Sequence, residues 1–111
     1  MQCTVECNGP EGMLFVSKTG SGHVVAMDGA TDGGGHNLAP RPMEMILSGT
    51  GACSAYDVVL ILKRGRQDVR RCTVEINSER ADTEPKVFTK INMHFVVSGK
   101  NLTEQVVERA V

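Results

Sequence analysis

The strongest constraint on this chain is the stretch MEMILSGTGACSAYDVVLILKRGR, from Met43 to Arg66, which places apolar residues on nearly every face of a helix. A helix with one apolar stripe lies on a surface, whereas one that is apolar all round belongs at the centre of a structure. Pro42 suits the first helical turn, where its missing N–H costs nothing, and Glu44 favours the positive end of the helix dipole. Gly49, Gly51, Ala52 and Ala55 carry little bulk, so another backbone can approach closely. At the far end Lys63 and Arg64 complement the negative terminus, and Gly65 offers a stop. The expectation is a long central buried helix.

The flanks read as strands and turns. Gln2 to Glu6 alternates, and Asn8-Gly9-Pro10-Glu11-Gly12 is dense turn chemistry. Met13 to Val16 and His23 to Met27 are short β-prone runs on either side of Gly20-Ser21-Gly22. Three short strands with tight turns predict an antiparallel β meander. Asp28 to Pro40 (DGATDGGGHNLAP) is too glycine-rich for a regular element and lacks a phosphate-binding fingerprint, so it reads as a flexible connection.

Beyond the helix, Cys72, Val74 and Ile76 point one way, and Thr73, Glu75 and Asn77 the other. Glu84-Pro85 marks a turn. Val87, Thr89, Ile91, Met93, Phe95 and Val97 then share a face, opposite Phe88, Lys90, Asn92, His94 and Val96. These segments predict a β hairpin that covers the central helix with one face. A C-terminal helix opens at Leu102-Thr103-Glu104-Gln105, with Asn101 or Thr103 as its cap. Its apolar pattern stops abruptly at Val111, which reads as a chain shortened at its C-terminus.

The fold class is therefore α+β, in a single domain over 1–111, a length with no room for a second core. Composition excludes several functions. Twelve basic against 13 acidic side chains give a net charge of −1, which leaves no global field for nucleic acid. Aromatics are 4% with no Trp, which weakens base stacking. Uninterrupted apolar runs are short, which argues against a membrane span. The N-terminus has neither the basic nor the apolar region of a secretory signal. Four cysteines without such a signal read as reduced thiols in the cytoplasm, not as a disulfide framework.

Cys53 is the thiol with chemical interest. It sits mid-helix in GACSAYD, with Tyr56 and Asp57 one turn on. A cysteine on an apolar helix serves as a small hydrophobe unless a cation or dipole favours its thiolate. The candidate cations are Arg41, Lys18, Arg64 and His36, each of which also has an ordinary role at a strand or helix end. Glu44 lies nine residues before Cys53, about 13.5 Å along one helix at 1.5 Å per residue. A shared pocket then requires a second chain or a loop that folds back. Cys3 and Cys7 fall on one strand face and Cys72 in the sheet's apolar face. With His23, His36 and His94 scattered, no metal set or cofactor motif emerges.

Taken together, RPMEMILSGTGACSAYDVVLILKRGRQDV and CTVEINSERADTEPKVFTKINMHFVVSGKNL resemble the OsmC/Ohr family, and in particular its OsmC-like subgroup, over roughly Gly20 to Val111. The resemblance implies an OsmC-like fold in which two chains intertwine as a homodimer. It also implies a thiol-dependent peroxidase without cofactor or metal. Cys53 would be the peroxidatic thiol, with Glu44 and either Arg41 or Lys18 as its charged partners. The substrate would be an organic hydroperoxide and the reductant a dithiol or small thiol, with no nucleic acid or membrane partner. The family's resolving cysteine lies on the helix after the hairpin, where this chain carries none; Cys72 reads as a strand-core residue. The alternative is a non-peroxidatic dimeric relative that binds a ligand or senses redox state.

Overall fold

The computed structural model describes residues 1–7 and 11–111, so Asn8, Gly9 and Pro10 of the expected first turn lie outside the described residues. The chain forms two compact units, Met1–Ile46 and Leu47–Val111.

In the first unit β1 (Cys3–Cys7), β2 (Phe15–Thr19) and β3 (Val24–Met27) form an antiparallel sheet in the order β1-β2-β3. The meander is as expected, but β2 begins two residues later than the apolar run Met13 to Val16 suggested. Its register, Cys3 opposite Thr19 and Cys7 opposite Phe15, uses polar Ser17, Lys18 and Thr19 as strand residues. Ser17 is the one buried position of the three-stranded sheet. All five residues of the edge strand β1 are exposed.

The glycine-rich segment after β3 is an organised loop, not the flexible connection its composition suggested. Asp28 is only 1% exposed, and its carboxylate accepts backbone N–H groups from Gly29 (2.7 Å), His36 (3.2 Å) and Leu38 (3.2 Å). A 3-10 turn at Thr31–Gly33 lies inside this loop. Gly35 passes so close to the Gly29 carbonyl that a side chain on it would strike backbone. The glycines here allow compaction around a carboxylate.

The long helix α1 runs from Pro42 to Arg64. Arg41 stands at its N-cap position, and Glu44 reaches back to accept the Arg41 N–H at 2.9 Å, which is one half of a capping box. At the other end, Gly65 does not supply the left-handed stop. The Gln67 N–H donates to the Leu62 carbonyl at 2.9 Å and the Arg66 N–H to Lys63 at 3.0 Å, with Arg66 at φ +59°. This is a Schellman ending, and its left-handed residue is Arg66, one position beyond the glycine.

In the second unit β4 (Asp68–Arg80) and β5 (Phe88–Lys100) pair antiparallel. Cys72, Val74 and Ile76 lie opposite Val97, Phe95 and Met93, so the expected faces match across the hairpin. The Glu84–Pro85 peptide in the connection is cis. Helix α2 (Glu104–Ala110) is capped by Thr103, whose Oγ1 accepts the Val106 N–H at 3.3 Å. The core of this unit is Val58, Leu62 and Ala110, with Val69, Phe95, Val97 and Val106 packed around it.

Two expectations about α1 meet the structure differently. Of its 23 residues, Gly51, Val58 and Leu62 are the buried ones, because the single chain covers one stripe of the helix. Ile46, Tyr56 and Ile61 remain 52%, 71% and 50% exposed. Contrary to the expectation from its short apolar runs, the chain does hold a segment of membrane-spanning length. Helix α1 is long and apolar enough, by length and composition, to cross a bilayer. Ser, Gly and Thr break the apolar runs without lowering the mean hydropathy much, and the core helix of a soluble protein satisfies the same measure.

Candidate functional site

The sequence singles out Cys53, and α1 presents it as a free, exposed thiol. The reason is helical phase. Gly51 packs against Ile76 of β4 so closely that a Cβ there would meet the isoleucine's Cδ1. Ser48, Gly51, Ala52 and Ala55 line a groove of about 330 Å³ with Cys72, Val74 and Ile76. Each residue turns the helix by about 100°, so residue 53 leaves the β4 side and its thiol stands on the open face. Gly49, Tyr56 and Asp57, one turn before and after, are exposed as well. Small residues at 51, 52 and 55 thus admit the sheet on one side, while the face bearing Cys53 stays uncovered.

Cys72 has the opposite character. It lies half-buried in the groove, and burial pushes its thiol above the ordinary cysteine range. A second groove of about 520 Å³, lined by Ala52, Ala55, Tyr56, Val59, Leu60, Lys63 and Cys72, continues along the same side of α1. Cys3 and Cys7 are exposed at the two ends of β1.

Among the charged candidates, the structure brings Arg41 and Glu44 together. Arg41 Nη1 lies 3.8 Å from Glu44 Oε1, and the same oxygen accepts the Arg41 backbone N–H. Both side chains are about half exposed, so the pair contributes little through charge alone. Lys18 is exposed on β2, opposite Thr4 and Val24. Arg64 occupies the exposed last turn of α1, where it complements the helix dipole. His36 packs its ring near Gly12, where an added Cβ would lie 3.1 Å from Cε1. Among the described residues, no three His, Cys, Asp or Glu side chains converge as a metal-binding group.

Sequence reasoning passed over Asp28. Burial alone would raise its carboxyl, but the three backbone N–H groups and the nearby His36 outweigh that and hold it below its ordinary range. The available signal was the turn dipeptide Asp28-Gly29 at the mouth of a glycine-rich loop.

The family model described as OsmC-like protein matches residues 34–111. Protein YhfA of Escherichia coli strain K12 is 48% identical over 101 residues, which are 91% of this chain and 72% of that protein. The chain belongs to the OsmC-like protein family. Among solved structures, a hypothetical protein from Aquifex aeolicus VF5 is 28% identical with a TM-score of 0.80, covering 98% of this chain and 74% of its own. An organic hydroperoxide resistance protein OsmC from Legionella pneumophila has a TM-score of 0.64 at 17% identity, covering 99% and 82% respectively, and is similar in fold. The family match takes in the Asp28 loop's second half, α1, the hairpin and α2. The OsmC-like fold is therefore the fold of this chain, with its mixed helices and sheets.

Proposed function

We propose that this OsmC-like chain is a thiol-dependent peroxidase that reduces organic hydroperoxides, with Cys53 as the reacting thiol. The observation that carries this reading is the exposed thiol on the open face of α1, in a chain of the OsmC-like family. The Legionella relative, named for organic hydroperoxide resistance, supports the substrate class.

In the proposed step the Cys53 sulfur, as thiolate, attacks the terminal peroxide oxygen. An S–O bond forms and the O–O bond breaks. The alkoxide leaves with the electron pair and takes a proton to become the alcohol, while the sulfur is oxidised to sulfenic acid. A dithiol or small thiol then attacks that sulfur, forming a mixed disulfide and releasing water. The dithiol's second thiol, or a second small-thiol molecule, attacks the mixed disulfide, freeing the Cys53 thiol and leaving the reductant as a disulfide. Arg41 and Glu44 are the proposed charged partners, supplied by a second copy in a homodimer, with Lys18 as the other basic candidate. The exposed apolar side chains of α1 support the dimer, which would work as a soluble cytoplasmic protein without a cofactor.

The test is turnover of cumene hydroperoxide with dihydrolipoamide. The wild-type chain consumes peroxide and Cys53→Ser loses essentially all of it while keeping its fold. Turnover retained in that variant contradicts the assignment.

One observation favours a second reading, a dimeric ligand-binding or redox-sensing relative without efficient turnover. Glu44 Oε1 is engaged by its own helix cap and by Arg41, an ordinary structural use of both residues. Slow oxidation of Cys53 without multiple turnovers would favour it.

A further inference from the structure

We propose that Asp28 is a positioning residue for the start of α1. Its buried carboxylate fastens the loop ahead of the helix and so sets where Arg41 and Glu44 stand. Oδ1 takes the adjacent amide, that of Gly29, whose N–H donates to it at 2.7 Å. Oδ2 instead reaches eight and ten residues ahead, to the N–H groups of His36 and Leu38, both at 3.2 Å. The Asp28 backbone N–H donates to the Pro40 carbonyl at 2.9 Å. Residue 28 therefore holds the chain at positions 36, 38 and 40, immediately before Arg41.

The loop has little freedom to take another path. Asn37 is in the left-handed region at φ +52°, and its N–H donates to the Gly29 carbonyl at 3.1 Å. Gly35 lies against the Gly29 backbone, where a side chain cannot fit. The residue after Pro40 is Arg41, whose N–H donates to Glu44 Oε1 at 2.9 Å. Asp28 thus stands at one end of a continuous series of backbone contacts, and the Arg41–Glu44 pair stands at the other. The catalytic meaning of the pair rests on the peroxidase reading; its positioning by Asp28 does not.

The experiment is residue-resolved amide hydrogen exchange on the full chain, for wild type, Asp28→Ala and Asp28→Asn, alongside cumene hydroperoxide turnover. In Asp28→Ala, exchange at His36, Leu38 and Arg41 accelerates at least tenfold while the β2–β3 amides stay within about twofold. Asp28→Asn keeps one acceptor oxygen and replaces the other with a donor. It therefore retains protection at Gly29 or at His36 and Leu38, but not at both.

An Arg41 amide that does not respond, or an acceleration shared by every amide, overturns the positioning role. If neither variant folds, the wild type alone decides. The amide protons of Gly29, His36 and Leu38 must then titrate together with the Asp28 carboxyl, and independent behaviour overturns the proposal.

Turnover separates this inference from the reading it rests on. The Asp28→Ala variant is expected to lose at least tenfold in kcat/KM. Released Arg41 with undiminished turnover keeps the positioning and removes Arg41 and Glu44 from the reaction. A wild-type chain with no turnover defeats the peroxidase reading alone, and the Arg41 amide still decides the role of Asp28.

Discussion

Asp28 carries three backbone N–H groups on one buried carboxylate, and that arrangement makes the loop ahead of α1 sensitive to acid. The carboxyl titrates below its ordinary range because those donors and His36 favour the charged form more than burial opposes it. A depressed folded pKa contributes stability that is complete above the unfolded value, about 3.9 for Asp, and that disappears as pH falls through the folded value. Wild-type denaturation midpoints in urea should therefore decline as pH falls below the ordinary Asp range, and Asp28→Asn should be less stable at neutral pH with a shallower decline. Parallel pH profiles for the two proteins would contradict this account. Cys53 and Cys72 make the complementary point about thiols. Two residues of the same type, one on the open face of α1 and one in the groove beneath it, differ in exposure because helix and strand phase place them differently.

The ends of α1 show what local sequence does and does not determine. The C-terminal residues KRGRQ suggested a stop at Gly65, yet the left-handed position falls on Arg66 at φ +59°. A side chain there costs about 1 kcal/mol relative to glycine, so Arg66→Gly is expected to stabilise the fold by roughly 0.5–1 kcal/mol, read from a urea unfolding midpoint. A loss of stability would show that the Arg66 side chain makes contacts that outweigh its backbone conformation. The hairpin was legible because alternation fixes faces: Cys72, Val74 and Ile76 meet Val97, Phe95 and Met93 as the period of two requires. Of the two caps the sequence offered for α2, Asn101 and Thr103, the structure uses Thr103. Beyond the Asp28-Gly29 dipeptide the loop was not legible, because the Asp28 carboxylate and N–H bond to backbone groups of residues 36, 38 and 40, and such partners leave no composition signature. Cys53 was singled out through the family resemblance, while the bond between Glu44 and Arg41 in the helix cap was not revealed by spacing alone.

For the whole molecule, α1 is the feature that reaches furthest. Of its 23 residues Gly51, Val58 and Leu62 are buried, while Tyr56 and Ile61 are 71% and 50% exposed, so apolar surface of the helix stays open. At about 25 cal/mol per Å² of apolar area removed from water, covering such a face is a substantial drive to association. The proposed homodimer should give a light-scattering mass twice the 12.0 kDa of the chain, and a concentration-independent mass of a single chain would contradict it. The central claim, that Cys53 is a peroxidatic thiol, is tested most directly by intact-mass analysis of the reduced protein after stoichiometric cumene hydroperoxide, with and without a sulfenic-acid trap. The account predicts one trapped adduct, formed within seconds and mapped by peptide digestion to Cys53, with Cys72 unmodified. An unmodified Cys53, or an adduct confined to Cys3, Cys7 or Cys72, would contradict it.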